Sequence, residues 1–471
     1  MPNVTHHSAS DLSKQLNALL TQSWEQEVVA RLPAQYEQQA RQTGAFVRAR
    51  GLRGVADLLR GVLAYVLCAP SFRQVGAWAV LIGLANLSHV AWQKRLRQAR
   101  AWLLWLLSEC LAVSSGPAPL PGGRIVLIDA TRLTEPGGTG DDWRVHLGYD
   151  LLAGRLLDVK ISDGHTAEGL TLFALQAGDV VVADRGSCRR KQLASALQAG
   201  AQVVVRLVPH QVPLCDPTGK PVDVRAWVKR LSTGQGQCQG AFEYAGRRLT
   251  GRLVAWALPE EAAQHAREKE RKKAVKQQRQ LKEETLDLCG WLLLFTSLSP
   301  EQWSDDQVLA LYRARWQIEL VIKRMKQLLR LAQLRGQTAA TNEATLLAVL
   351  LCWALIQSEA QAARQILTAA QEHWRATHDQ DPGGPPDAAA VLSPLSVSSW
   401  SVTALAVTTL RLLVQGGWTF AHLRACLPDL HRFLGSRRWH RAHQESCIRR
   451  LFLAHPGLAL AASPLVGGSR A

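Results

Sequence analysis

A chain of 471 residues with 47% hydrophobic content is long enough for a large buried core and for two to four domains. Its formal net charge of +17 favours a polyanionic partner such as nucleic acid over a protein that is basic by chance. The cysteines form no CxxC pair and are odd in number, which argues against a zinc module or disulfide framework and favours a reducing cytosol. The N-terminal residues lack the apolar segment of a signal peptide, and the longest apolar runs are too short to span a bilayer, so no membrane association is expected.

Residues 1–120 are predicted to form a helical DNA-binding domain. Helical spacing recurs in four segments: 12–31, 33–50, 54–68 and 71–83. Within this domain, Ser71–Leu96 has the pattern of a helix-turn-helix, in which the first helix ends near Gly83 and the second begins after Asn86 or Ser88. The second helix would present polar and basic side chains to a DNA groove: His89, Gln93, Lys94 and Arg95. An ordinary hairpin of two helices in a bundle remains the alternative.

Strand signals begin after a turn-rich segment, Ser114–Gly123, which marks a domain boundary. Five strands are predicted: Arg124–Ile128, Trp143–Leu152, Arg155–Ile161, Asp179–Ala183 and Ala201–Leu207. A helix over Ser187–Ala199 connects the last two strands. Strands joined by a crossover helix predict a mixed α/β sheet with helices packed on it.

Two aspartates, Asp129 and Asp184, directly follow two of the predicted apolar strands. Ligand sites of open α/β sheets gather at the carboxyl ends of the strands. Either aspartate alone is more simply explained as a turn or cap residue. Together with Glu319 on a later helix, they could instead hold one or two hard divalent cations.

Residues 208–289 interrupt this sheet and are predicted to form a β-rich insertion that ends in a highly charged helix over roughly 260–284. That helix is expected to be solvated, with phosphate contact as the alternative. The strand Gly290–Leu298 and a buried helix over 337–366 would return to the core. They are followed by a flexible linker at 379–398 and a basic helical region at 399–471.

An uninterrupted helix is predicted over Leu311–Leu331, which contains no Pro or Gly. One arc of this helix is apolar and would face the core. The adjoining arc carries Tyr312, Arg315, Glu319 and Lys326, with Lys323 and Arg330 beside them. Taken alone, the pattern is that of an amphipathic helix with ordinary i,i+4 ion pairs.

The polar arc follows the pattern Y-x2-R-x3-E-x6-K, while Asp129 lies in IDAT and Asp184 in ADRG. This combination resembles the DDE transposases of bacterial insertion sequences, of the insertion-sequence-four type. The resemblance implies an α/β multi-domain fold with a ribonuclease-H-like catalytic core formed by 121–207 and 290–366. It also implies that the mostly β insertion at 208–289 interrupts this core, and that all-helical N- and C-terminal regions flank it.

The resemblance also implies roles for individual residues. Asp129, Asp184 and Glu319 would be catalytic and would ligate two Mg2+ ions, for which Mn2+ could substitute. DNA or phosphate contacts would come from Tyr312, Arg315, Lys326 and Trp291. Arg206, Lys323 and Arg185 are further candidates for such contacts; Lys323 is not part of the family pattern, and contact with solvent is its alternative. Trp291 either stacks on an extruded base or packs against the sheet.

The implied function is that of a transposase in the bacterial cytoplasm, associated with the nucleoid. It would bind the terminal inverted repeats of its element as a homodimer on paired ends, cut them and join them to target DNA. Cut-and-paste through a hairpin is the preferred pathway. Two alternatives also act on or bind DNA: a ribonuclease-H-like nuclease without strand transfer, and an inactive DNA-binding relic. A third alternative is a helical scaffold protein whose positive charge is incidental.

Overall fold

The computed structural model describes residues 22–68, 71–113, 123–378, 398–417 and 419–430. Its N-terminal part is helical, as the spacing of apolar residues predicts. A short helical segment at 22–27 is followed by α1 (Tyr36–Gln42), α2 (Val55–Leu67), α3 (Phe72–Leu81), α4 (His89–Gln98) and α5 (Arg100–Val113). All but one of the residues of α2 are buried, in keeping with its nearly continuous apolar sequence.

The prediction of a helix over 33–50 is wrong beyond Gln42, because the chain turns at Gly44 with a φ of +75°. The pair α3–α4 lies close to its predicted bounds. Ser71 caps α3, and Ser88 caps α4 by accepting a hydrogen bond from the Ala91 backbone N–H at 3.2 Å. Of the helix predicted over 12–31, the residues before 22 lie outside the described part of the chain.

One mixed sheet contains eight strands: β1 (Ile125–Leu133), β2 (Trp143–Asp150), β3 (Arg155–Asp163), β4 (Val180–Ala183), β5 (Gln202–Arg206), β6 (Gln235–Tyr244), β7 (Arg247–Ala257) and β8 (Trp291–Thr296). Their order across the sheet is β3-β2-β1-β4-β5-β8-β7-β6. β1, β4 and β5 are parallel to one another, and all other neighbouring pairs are antiparallel. α6 (Arg190–Gln198) is the crossover helix between β4 and β5.

The first strand does not end before Asp129, contrary to the sequence-based prediction. β1 continues to Leu133 because residues after Asp129 keep pairing with the longer antiparallel neighbour β2, with Leu133 opposite Trp143. The parallel pairing with β4 does stop at this point, where Ile128 lies beside Ala183. Asp129 therefore lies within a strand but at the end of the β1–β4 pairing.

The inserted segment extends the main sheet. Its hairpin β6–β7 joins the sheet through the antiparallel pairing of β7 with β8. α7 (Val224–Lys229) precedes the hairpin. The charged helix predicted to end near residue 284 stops earlier, as α8 (Glu260–Lys276), because Gln278 adopts a φ of +50°. A separate helix, α9 (Glu283–Leu288), then leads into β8.

The remaining described helices are α10 (Asp305–Ala314), α11 (Trp316–Leu328), α12 (Ala339–His378), α13 (Ser399–Gln415) and α14 (Phe420–Leu430). Buried residues of α2, α5, α12 and α13 belong to one hydrophobic cluster that also includes one face of β1 and β2. Ser398, the last residue of the predicted linker, caps α13. The rest of that linker and the basic segment after Leu430 lie outside the described residues.

One stretch, Ala339–Ala370 of α12, is long and apolar enough to cross a membrane by length and composition alone. However, 83% of its 18-residue apolar window is buried inside the protein. It is packed as the core helix predicted from its sequence.

Candidate active site

Two neighbouring parallel strands bring Asp129 and Asp184 together. The last paired residues of β1 and β4 are Ile128 and Ala183, so the two aspartates follow side by side. Asp184 then opens a 3-10 turn, Arg185–Ser187, which leads the chain away from the sheet. Both carboxylates are only partly exposed. The predicted convergence of the two aspartates is therefore present, although only Asp184 ends its strand.

The predicted helix over Leu311–Leu331 is wrong in two respects. It is interrupted at Arg315, where three-residue hydrogen bonds replace the α-helical pattern: Arg315 N–H donates to Tyr312 O, and Ile318 N–H donates to Arg315 O. It also ends at Leu328, because Arg330 adopts a φ of +58°. The apolar arc nevertheless packs in the core as predicted, with Val321 fully buried.

Side chains around this break reach all three predicted catalytic carboxylates. The Tyr312 hydroxyl donates to Asp184 Oδ1 at 3.3 Å. Arg315 Nη1 lies 3.5 Å from Asp129 Oδ2, and its Nη2 donates to Glu319 Oε1. The guanidinium also lies over the Tyr312 ring, 5.9 Å from the ring centroid. The helix thus gathers Asp129, Asp184 and Glu319 around one arginine and one tyrosine.

Burial and repulsion between the neighbouring carboxylates make negative charge at this site unfavourable. The pKa of Asp129 is raised to about 6: burial is the largest cause, Glu168 and Glu319 add to it, and the Ala130 N–H and Arg315 oppose it. Burial and the charge of Asp184 raise the pKa of Tyr312 to about 12, so its hydroxyl stays a neutral donor. Burial opposes the charge of Arg315, but the surrounding negative groups raise its pKa overall. Burial lowers the pKa of Lys326.

The side chains fit a hard divalent cation by their chemistry. Carboxylate oxygens are the ligands that Mg2+ and Mn2+ prefer, and the raised pKa of Asp129 reflects a buried charge that lacks full compensation. Arg315 stands between Asp129 and Glu319 and supplies part of that compensation. Among the described residues, no three His, Cys, Asp or Glu side chains are spaced to ligate one ion. Glu319 would therefore join a metal site only if Arg315 moved off it.

The raised pKa of Asp129 predicts a specific pH dependence of stability. The pKa of Asp129 is raised from 3.8 to about 6 in the folded chain, so the protonated form is favoured by folding. In the presence of a chelator, wild-type stability should fall by about 3 kcal/mol relative to Asp129→Asn as pH rises from 4 to 7. Urea unfolding of both proteins at several pH values measures this difference. Parallel curves over that range would contradict the burial of an undercompensated charge.

The other predicted contact residues have different environments. Arg206 ends β5, is partly buried and acts on Tyr312 electrostatically. Arg185 is exposed on the turn after Asp184, and Lys323 is exposed on α11. Trp291 begins β8, where it is partly buried and packs against a second hydrophobic cluster.

In the helix pair α3–α4, His89 and Lys94 are exposed as predicted. The expectation that Arg95 faces DNA is wrong. Arg95 lies over the Phe46 ring and donates to the Arg50 carbonyl at 2.7 Å, so it fixes the preceding loop. A guanidinium committed in this way anchors the protein's own backbone.

Glu168 is absent from the sequence-based predictions. It lies in the loop between β3 and β4 and raises the pKa of Asp129. No motif surrounds it in the sequence, and a glutamate in a polar loop has the pattern of a solvated surface residue. The approach to Asp129 depends on how the loop folds back over the sheet.

Comparisons with known proteins show the family of this chain. Residues 120–355 match the family described as the transposase DDE domain. InsL of insertion sequence element IS186A from Escherichia coli strain K12 is 36% identical over 332 residues, which cover 69% of this chain and 90% of that protein. The transposase for insertion sequence element IS421 from Escherichia coli is 35% identical over 336 residues, with the same coverage of 69% and 90%. The transposase for IS231B from Bacillus thuringiensis subsp. berliner is 25% identical over 206 residues, 39% of this chain and 43% of that protein. The chain belongs to the DDE transposases of bacterial insertion sequences.

Proposed function

We propose that this transposase is a metal-dependent enzyme that cuts the ends of its element and joins their 3′-hydroxyl groups to target DNA. The observation that carries the proposal is the gathering of Asp129, Asp184 and Glu319 around Arg315. The strand order β3-β2-β1-β4-β5, with β1, β4 and β5 parallel, supports a ribonuclease-H-like catalytic core. On this proposal, residues 208–289 are an insertion into that core, and the helical regions on either side contact DNA.

Asp129, Asp184 and Glu319 would hold the divalent cations, Mg2+ or Mn2+. Bound there, the ions would supply activation of the attacking oxygen and stabilisation of the leaving oxygen during in-line displacement at phosphorus. Arg315 is placed to exchange its carboxylate partners for a phosphate, which its planar fork can bind in two places. The Tyr312 hydroxyl can donate a hydrogen bond to a second phosphate oxygen. Lys326, which has no carboxylate partner among the described ion pairs, would add a point charge about two turns beyond Glu319.

The positive charge around the site is consistent with a DNA path. Arg206 has no hydrogen-bond or ion-pair partner among the described residues, and it lies beside Tyr312. Arg185 and Lys323 are likewise exposed and without an ion-pair partner in the described part. A net charge of +17 favours binding of phosphate backbones generally. We place the terminal inverted repeats on α4 and the cleaved ends at this basic rim.

Transposition through a hairpin at each end is the preferred pathway within this proposal. Trp291 would stack on the base that such a hairpin extrudes. Its partial exposure at the start of β8 leaves room for this contact, while its packing against the sheet supports the alternative structural role. A homodimer would bridge two ends, since each end needs an active site. The enzyme would act on the nucleoid in the bacterial cytoplasm.

The test uses duplex oligonucleotides that carry the ends of the genomic element. The purified chain should cut them in the presence of Mg2+ or Mn2+, leave 3′-hydroxyl ends and join these to a plasmid. Addition of a chelator should stop both reactions, because the carboxylates are then left without their cations. Denaturing gels resolve nicks, hairpins and joined products.

Cutting that persists in excess chelator would contradict the metal-dependent mechanism. Cutting without joining would favour a nuclease, and binding without cutting would favour an inactive DNA-binding protein. Linear products without any hairpin species would exclude the preferred pathway while leaving the transposase assignment intact.

A further inference from the structure

A small cavity lies between the β2–β3 turn and the helices α11, α12 and α13. Its volume is about 20 Å³, which is enough for one particle of roughly the size of a water molecule. Side chains that line it, such as Val321, Ile356 and Thr403, are buried. Gly154 in the turn and Arg364 on α12 are partly exposed, so a small solute can reach the cavity from this side.

Two arginines line this cavity without a carboxylate to balance them. Arg324 of α11 is 7% exposed, and its Nε and Nη1 donate to two neutral oxygens, Leu320 O at 3.1 Å and Thr403 Oγ1 at 3.5 Å. Burial lowers the pKa of Arg324, Tyr149 opposes this shift, and the charge of Arg364 adds to it. Neither guanidinium has an ion-pair partner in the part of the chain that the structure describes. Two like charges therefore face one buried space.

The acidic residue next to the cavity in sequence does not supply the missing charge. Tyr149 lines the cavity, and Asp150 follows it on β2, but successive side chains of a strand point to opposite faces of the sheet. Val126, which pairs with Asp150, belongs to the hydrophobic cluster on the other face. Asp150 Oδ1 instead accepts hydrogen bonds from the backbone N–H groups of Leu152 and Ala153, both at 3.0 Å.

The neutral polar groups of the cavity add further N–H donors. Gln357 is buried, and its Oε1 accepts a hydrogen bond from the Leu156 backbone N–H at 3.1 Å, which fixes the orientation of the amide. Its Nε2 has no hydrogen-bond partner within the described residues, and neither has the indole Nε1 of Trp353, one turn earlier on α12. Buried donors without an acceptor are unfavourable. The cavity thus combines positive charge with unsatisfied donors.

A small anion satisfies all of these groups together. A water molecule accepts hydrogen bonds but leaves the two buried positive charges uncompensated. A phosphate or a carboxylic acid needs more space than one water-sized particle does. We propose that Arg324, Arg364 and Gln357 bind one monatomic anion, chloride under cellular conditions. Bound there, the anion would fasten α11, the helix that carries Glu319, to the core helix α12.

The test compares thermal unfolding of the full chain in sodium chloride and in sodium gluconate. The two salts are used at equal ionic strength, about 0.15 M, so that surface charges are screened equally. Gluconate, the anion of a sugar acid, is too large for the cavity. The unfolding temperature of the wild type should be about 2 °C higher in chloride, because only the folded chain binds the ion.

Substitution of either arginine should remove this difference between the salts. Arg324→Met and Arg364→Met keep most of the side-chain volume and remove one positive charge from the cavity. Arg313→Met is the matched control, since Arg313 is an exposed arginine on α10 outside the cavity, and it should keep the chloride response. Arg364 is partly exposed, so its variant tests the proposal even if Arg324→Met fails to fold.

Gln357→Glu distinguishes a bound anion from a bound water. One carboxylate oxygen can still accept from the Leu156 N–H, and the other replaces the amide nitrogen that has no partner. With its own negative charge in the cavity, this variant should unfold at a higher temperature than the wild type in gluconate and should not respond to chloride. If the cavity holds water instead, the buried carboxylate should lower the unfolding temperature in both salts.

Equal unfolding temperatures of the wild type in the two salts would overturn the proposal, as would a full chloride response in Arg364→Met. Chloride-35 nuclear magnetic resonance gives a direct readout, because bound chloride broadens the signal of the free ion. The wild type and Arg313→Met should broaden this signal more than Arg364→Met does. Equal broadening by all three would assign the bound chloride to the basic surface and would also overturn the proposal.

Discussion

Asp184→Asn should lower the rate of DNA cleavage by on the order of 1000-fold or more, equivalent to at least about 4 kcal/mol of activation free energy. Asp184 lies at the end of β4, beside Asp129, and its carboxylate is only partly exposed. The substitution removes one negative charge and one anionic ligand of the proposed metal site. The amide oxygen of Asn can still accept the Tyr312 hydroxyl, which Asp184 accepts at 3.3 Å. The fold and the basic surfaces are therefore expected to remain intact.

Single-turnover cleavage of terminal duplexes, combined with gel-shift binding, measures this effect. Binding should stay within a few fold of the wild type, because Asp184 carries no positive charge and the substitution leaves the side chains of the neighbouring predicted phosphate contacts, Arg185 and Tyr312, in place. Asp158→Asn makes the same chemical change on β3, three strands away from β4, where the carboxylate pairs with Lys160 at 3.0 Å. Cleavage by Asp184→Asn at the rate of this control would refute the active-site assignment.

Arg252→Met should lower the free energy of unfolding by about 3 to 5 kcal/mol, the usual cost of breaking a buried ion pair by removing one partner. Arg252 lies on β7 with 2% of its surface exposed. Its Nε donates to the Leu298 carbonyl at 3.0 Å, and Nη1 donates to Gln237 and Asp305 at 2.7 and 2.5 Å. Nη2 donates to the Trp303 carbonyl. Methionine fills the volume but leaves these acceptors unpaired.

The same substitution at Arg247 provides the control, since Arg247 lies on the same strand and is exposed. Urea unfolding followed by circular dichroism should separate the two variants clearly. Equal stability of the two would mean that the Arg252 network contributes little. Because Arg252 connects the inserted hairpin to the start of α10, its loss should also loosen the helix that carries Tyr312.

Features encoded by local chemistry could be predicted from the sequence. The apolar runs of β4 and β5 form buried parallel strands, and a serine cap begins α4 where predicted. At α10, Ser304 and Gln307 form a complete capping box. Tyr312, Arg315 and Glu319 share one face as their spacing requires, even though the helix is interrupted between them.

Features that depend on distant partners could not be predicted. The length of β1 follows from β2, and the place of the hairpin β6–β7 follows from β8, so neither has a local signal. In the sequence alone, Arg252 has the pattern of a surface residue, because its burial depends on carbonyl groups about fifty residues away. In the sequence alone, Glu168 has the pattern of a loop residue, because it interacts with Asp129 only in the folded chain. In each case a tertiary contact overrides the local pattern.

One hydrophobic cluster contains buried residues of α2, α5, α12, α13 and the sheet. This cluster has a consequence for the distance between the DNA sequence that is recognised and the bond that is cut. Close-packed protein interiors deform little, so the elements that share a core keep fixed relative positions. A sequence held on α4 would therefore stand at a set distance from Asp129 and Asp184. The number of base pairs between the recognised sequence and the cut bond would then be set by the fixed distance between α4 and the active site.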